Sequence, residues 1–344
     1  MTGQSTGPVT TRLLAAEAGV SAATVSKVMN GRPGVSAATR DRVARVLDRH
    51  RSHRRPPHRR PGLVVDLVLN EIDSLWSAQI VAGADEVFQA AGTTMALAAL
   101  HGSAAHAASW LGTLAARRCD GVVLAVCELT ARQHLHLASL GVPVVLLDPS
   151  GGADVGLPVV GATNWAGAVA ATEHLIALGH RAIAHLAGPG GVTAARARAA
   201  GYRTAMDRAG LAVRDGSLRY GTFDDQSGHR EMLALLDEAR TAGTPPPTAV
   251  FAASDRQALG ACTALQSRGL AVPGDVSVVG FDDTPQSRWA RPALTTVHQP
   301  VQEMAALAAR TMLRVIDGES IDPPRVELAT RLVVRDSAAP PPAG

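Results

Sequence analysis

From residue 63 onward the chain alternates short apolar runs with amphipathic ones, and this alternation is the tightest constraint on what it can fold into. Leu63–Asn70, Thr93–Leu100, Gly121–Val126 and Val142–Asp148 read as buried strands, with Trp76–Ala91, Ser103–Ala116 and Leu129–Leu140 as helices between them. A second copy begins near Val159. Its helices are Ala166–Leu178, Ala194–Ala209, Gly228–Glu238 and Arg256–Arg268; its strands are Ala182–Leu186, Leu218–Gly221, Ala249–Ala252 and Ser277–Phe281. Such a rhythm closes as a parallel sheet with helices on both faces, because each crossover helix must pack back on the sheet it leaves. Two copies predict two lobes, and ligands of such sheets bind at the carboxyl ends of the strands.

The first fifty residues follow a different pattern. Thr11 to Ala18 carries Leu13, Leu14 and Ala18 at helical spacing, Gly19 permits a tight turn, and Ser21 caps a second short helix. Val25 and Val28 are expected to face the first helix, leaving Ala22, Ala23, Ser26 and Lys27 on the open side, where a helix-turn-helix reads a DNA major groove. Charge supports this. Residues 1–62 hold 12 basic and 3 acidic side chains, whereas the rest of the chain holds 21 basic and 27 acidic ones, so the net +3 hides a basic head on an acidic body. Such a head is suited to a polyanion and to salt-dependent affinity.

The run from Val9-Thr10 through Ala18-Gly-Val-Ser-Ala-Ala-Thr-Val-Ser-Lys-Val-Met-Asn-Gly-Arg-Pro-Gly to Arg42-Val43 resembles the DNA-binding head of the LacI/GalR family of bacterial repressors. The resemblance makes 35–48 the third helix and implies that Ala22 and Ala23 touch base edges. It places Lys27, the only lysine of the chain, where the family more often has arginine. Lysine is a point donor and does not make the forked contact of arginine to guanine. By the same resemblance Thr10, Ser21, Thr24, Ser26 and Asn30 belong to the DNA-contacting set, Thr24, Ser26 and Asn30 at positions that usually hold phosphates.

In that family a short helix joins head to core and pushes a leucine into the minor groove. Here His50 to Pro61 contains Pro56, Pro57 and Pro61 and no leucine. One reading is an extended arm whose Arg54, Arg55, Arg59 and Arg60 follow phosphates or enter a narrow minor groove. The other is a flexible basic tether.

The core resembles the same family, and more broadly periplasmic sugar-binding proteins, in Thr163-Asn-Trp-Ala-Gly167, Leu178-Gly-His180, Arg198-Ala-Ala-Gly-Tyr202, Ser254-Asp-Arg-Gln-Ala-Leu-Gly260, Val276-Ser-Val-Val-Gly-Phe-Asp-Asp283 and Pro292 to Gln299. A sugar offers adjacent hydroxyls to carboxylates and arginine, and a C–H face to an aromatic plate. Asp73, Asp148, Asp255 and Asp282 follow strands, and the aromatics Trp76, Phe223 and Trp289 lie beside cleft segments. Arg198 stands where the family's arginine reaches the effector. Each has a plainer reading: Asp255 as a helix cap, Asp148 and Asp282 as turn residues, Trp76 and Phe223 as core, and Arg198 as a solvated charge. Asn164 reads as a cap or hinge contact.

Other chemistries lack their parts. Gly3-Gln-Ser-Thr-Gly7 matches a nucleophile elbow without the strand and helix that would strain Ser5. Gly188-Pro-Gly-Gly191 is followed by no Gly-Lys-Ser/Thr, and His134 and His136 point to different helix faces. No cofactor, metal or catalytic set is expected. Three scattered cysteines, no apolar leader and no apolar run long enough for a bilayer predict a cytoplasmic protein with reduced thiols.

The expected architecture is an all-α helix-turn-helix head at 1–50, a linker at 51–62 and an α/β core of two doubly wound parallel-sheet lobes. The lobes are expected at 63–160 with 292–320, and at 161–291 with 321–336, before a tail at 337–344. The expected function is a homodimeric, sequence-specific repressor on a near-palindromic double-stranded operator, controlled by a sugar or related metabolite between the lobes. A co-repressor regulator answering to a nucleobase, and a sugar-binding protein without an operator, are the alternatives. The Pro-rich tail has no heptads to build a tetramer.

Overall fold

The structure is a computed structural model that describes residues 11–29, 35–36, 38–40, 42–43, 46, 62–126, 129–149, 156–322 and 324–342. In the head, α1 (Thr11–Ala18) and α2 (Ala22–Met29) meet at Gly19, whose φ of +63° is the left-handed turn that glycine makes without a Cβ penalty. Ala15, Ala18 and Val25 are buried with Val43 and Val46 of the following segment, which makes a small three-part core.

The core has two six-stranded sheets. The first runs in the order β11-β5-β4-β3-β1-β2 and the second in the order β12-β10-β9-β8-β6-β7. In chain order the first takes β1 (Val64–Leu69), α3 (Leu75–Ala90), β2 (Thr94–Ala99), α4 (Ala104–Ala116), β3 (Gly121–Ala125), α5 (Ala131–Ser139), β4 (Val144–Leu147) and β5 (Val159–Ala162). The second takes α6 (Asn164–Ala177), β6 (Ile183–Ala187), α7 (Thr193–Arg208), β7 (Leu218–Tyr220), α8 (Asp225–Ala242), β8 (Ala249–Ala252) and α9 (Asp255–Ser267). β9 (Ser277–Asp282), α10 (Pro285–Trp289) and β10 (Thr295–His298) follow in the same lobe. The chain then returns to the first lobe with α11 (Val301–Ile316) and β11 (Arg325–Leu328), and crosses once more to β12 (Arg331–Val333). All pairings are parallel except β10 with β12.

Alternation along each strand explains the layers. In β1, Val65, Leu67 and Leu69 pack with α3 and α11, while Val68 packs on the other face with Trp110 and Leu111 of α4. The second sheet repeats this, with Val250 and Val278 toward α8 and α9, and Phe251 and Val279 toward α6 and α7.

The lobe boundaries differ from the expected ones at three places. β10, expected with the first lobe, pairs with β9 in the second sheet, so the return crossing falls at Gln299-Pro300. β11, expected in the second lobe, pairs with β5 in the first, since its Arg325 to Leu328 runs in register with Val159 to Ala162. The tail is not separate from the lobe: Ser337 is fully buried, its Oγ donates to the Val278 carbonyl at 2.6 Å, and Ala339 is held between Ser277 and the His180 ring. The first and third crossings are stitched together by the Thr163 and Thr330 hydroxyls, 3.0 Å apart.

Candidate ligand cleft and nucleic-acid interface

The carboxyl ends of both sheets face one cleft of about 240 Å³. Lobe one contributes the loop after β1, the first turn of α3 and Asp148 after β4; lobe two contributes α7, the loop after β7 and the ends of β8 and β9. Three non-glycine residues on its wall have left-handed backbones: Val126 (φ 51°), Asp148 (φ 43°) and Asp282 (φ 113°). Residues held in such conformations cost of order 1–3 kcal/mol each and gather where a site needs a particular aim.

Arg198, on α7, is the centre of the floor and is buried. Its Nε donates to Asn164 Oδ1 at 2.9 Å, Nη2 donates to Gln299 Oε1 at 3.3 Å, and Nη1 donates to the Ala253 carbonyl and lies 3.5 Å from Asp282 Oδ1. Its guanidinium lies 3.6 Å from the centre of the Phe281 ring, which fixes its plane. Asn164 Nδ2 in turn donates to Asp148 Oδ1 at 3.4 Å, a contact between lobes. Burial pushes the carboxyls of Asp148 and Asp282 above the usual carboxylate range, and the nearby Arg198 only partly opposes it. Gln299, in the return crossing, accepts from Arg198 and, at 3.4 Å, from Trp76 Nε1 of α3. A second pocket of about 220 Å³ shares Asp148 with the cleft and is lined also by Asn164, Trp165, Arg325 and Glu327.

Of the eight expected effector residues, Trp76, Asp148, Arg198, Phe223 and Asp282 line the cleft. Three do not. Asp73 is exposed and its neighbours Glu71 and Ser74 line the wall instead, because the loop turns at that point. Asp255 is fully buried, but its carboxylate turns inward and accepts from the Thr284 amide (2.7 Å), the Thr284 hydroxyl and Thr296, tying the loop after β9 to α9. Burial lifts its pKa to about 7 against those bonds. Trp289, on α10, is 69% exposed and outside the cleft. Asn70, Glu71 and Arg256 line the cleft without having been expected there, whereas Asn164, expected as a cap or hinge contact, does not line it and bridges the lobes through Asp148. Position directly after a strand would have marked Asn70 and Glu71, whereas Arg256 lines the cleft only because α9 starts there.

In the head, Ser21 Oγ accepts from the Thr24 amide at 3.0 Å, and Ala22, Ala23 and Lys27 are exposed while Val25 is buried. Ser26 lies on α2. Thr10, Asn30, Arg54, Arg55, Arg59 and Arg60 lie outside the described residues.

Comparison with known proteins agrees with both parts. Residues 14–53 match the profile of bacterial regulatory proteins of the lacI family, and residues 172–338 match the periplasmic binding protein-like domain. The HTH-type transcriptional regulator CelR of Thermobifida fusca is 36% identical over 342 residues, covering 95% of this chain and 98% of the relative. The chain belongs to the lacI family of bacterial regulatory proteins. HTH-type transcriptional regulator MalR of Streptomyces coelicolor is 34% identical over 97% of this chain and 98% of its own. Among solved structures, a CelR–cellobiose complex superposes with a TM-score of 0.76 at 35% identity, covering 96% of this chain and 100% of that one. The lac repressor dimer bound to operator and the anti-inducer ONPF superposes at 0.70 and 28% identity, with 97% and 100% covered. This LacI-family protein is thus a DNA-binding transcriptional regulator, and its relatives are regulators rather than enzymes. No helix of the described residues is long and apolar enough to cross a membrane.

Proposed function

We propose that this regulator is a cytoplasmic homodimeric repressor whose two heads grip a near-palindromic operator, and that a sugar in the cleft changes the operator affinity. Arg198 carries the cleft half of this reading. A buried guanidinium between Asp148 and Asp282, with Trp76 from one lobe and Phe223 from the other, supplies hydroxyl acceptors, donors and aromatic plates for a pyranose. The related regulator whose structure holds cellobiose supports a sugar, and the related dimer on its operator supports two heads on one site. Asp148 and Trp76 belong to one lobe and Arg198 and Asp282 to the other, so a ligand touching all four binds one lobe arrangement better than another. That differential affinity is what shifts an equilibrium between states.

For the head, Ala22, Ala23 and Lys27 are assigned to base edges and Thr10, Ser21, Thr24, Ser26 and Asn30 to register on the backbone. The test is a mobility-shift assay on the DNA upstream of the protein's own gene, with sugars titrated in. A retarded fragment that competes over random duplex, and changes with one sugar, is expected. A protein with no preference for any genomic fragment, with or without sugars, would sink the proposal.

A further inference from the structure

We propose that the cleft admits uncharged sugars and excludes sugars that carry a phosphate or a carboxylate. This rests on the reading that a sugar occupies the cleft, and it narrows that reading to a charge class. Four carboxylates line the cavity, Glu71, Asp148, Asp224 and Asp282, against two cations, Arg198 and Arg256. Neither cation is unengaged. Arg198 lies 3.5 Å from Asp282 and spends three donors on Asn164, Ala253 and Gln299, whereas Arg256 reaches across the mouth to Glu71 at 3.5 Å and holds Asp225 at 3.2 Å. An entering anion would have to displace a carboxylate from one arginine while facing those that remain, in a site where burial weakens screening.

Five helices begin at the wall. α7 and α10 have no side-chain cap at Val192 and Thr284, whereas the first turns of α3, α8 and α9 are closed by their own side chains. Ser74 Oγ accepts from the Ser77 amide at 3.1 Å, Asp224 Oδ1 from the Ser227 amide at 2.7 Å and Ser254 Oγ from the Gln257 amide at 3.1 Å. Two of these caps are neutral, and the third adds a negative charge. A neutral sugar donates hydroxyls to the carboxyl groups of the cleft and stacks its ring carbons on Trp76 or Phe223 without adding charge.

The experiment is calorimetric titration of the full-length protein with glucose, cellobiose and maltose, then, for each binder, with its 6-uronate and the methyl ester of that uronate. The ester keeps the added bulk and removes the charge. The uronate is expected to bind at least thirtyfold more weakly than its ester, and E71Q, which removes one acid and frees Arg256 of one partner, is expected to shrink that ratio about tenfold. A uronate that binds as well as its ester overturns the proposal and leaves a sugar cleft standing. A ratio unmoved by E71Q overturns its electrostatic basis. Binding of none of the neutral sugars overturns the sugar reading itself, and the charge class with it.

Discussion

Arg198 and Asp282 form a buried pair, 3.5 Å apart, whose two halves differ in what their loss exposes. Truncating the arginine leaves a buried carboxyl without its counter-charge, which typically costs about 3–5 kcal/mol, whereas neutralising both removes that penalty. R198A should therefore lower the free energy of unfolding by that order in urea melts, and R198A/D282N should regain part of it, while both lose sugar binding. His185 gives a second prediction at this scale. It lies fully buried, stacked 4.5 Å from Phe251, and its Nδ1–H donates to the Phe251 carbonyl at 2.8 Å. Burial drives its pKa down to about 4. A histidine whose folded pKa is depressed contributes stability above its unfolded value near 6.5, and that contribution drains as pH falls toward 4. The shift corresponds to about 3 kcal/mol. H185F should melt at temperatures that change less between pH 6.5 and 4.5 than the parent does, and parallel curves would show that His185 does not set this sensitivity.

Among elements, α8 and α9 cross at two glycines. A Cβ on Gly228 would stand 2.0 Å from the Gln257 carbonyl oxygen, and one on Gly260 would stand 2.0 Å from that of Asp225, so neither helix can yield without moving backbone. G260A is expected to cost about 1–3 kcal/mol, read as a lower midpoint in urea, with the head unaffected in DNA-bound footprints of the surviving fold. The proposed arm between head and core has its own test. Alanine at Arg54, Arg55, Arg59 and Arg60 should weaken operator binding and flatten its salt dependence, and an unchanged affinity would favour a tether. Most elements of both sheets were legible because apolar runs and amphipathic runs alternate without ambiguity. α11 carries the same kind of signal: Val301, Met304, Ala305, Ala308 and Met312 repeat at helical spacing and are all buried against the first sheet. The site was less legible than the fold. Asp255 and Asp282 have the same sequence context, an acid at the end of a strand segment. Which of them faces the cleft depends on a left-handed φ at Asp282 and on two threonine partners that reach Asp255 from 29 and 41 residues away.

At the scale of the whole molecule, the proposed pairing of subunits gives Trp289 a use that the cleft does not. An indole that is 69% exposed on a short helix is an unusual cost for a lone chain, and large aromatics are enriched where subunits meet. W289E is expected to sediment as a monomer at micromolar concentration and to bind operator more weakly, since the two heads no longer act together. A dimer of unchanged affinity would move the subunit contact elsewhere.

The last crossings of the chain also bear on how the molecule is made. β11 completes the first sheet and β12 the second, and they are separated only by Ala329 and Thr330. A nascent chain halted before Arg325 therefore has neither sheet at full width, although the head was translated some three hundred residues earlier. Completion of the two lobes is thus one late event in synthesis, and the DNA reader is made long before the cleft proposed to control it is complete.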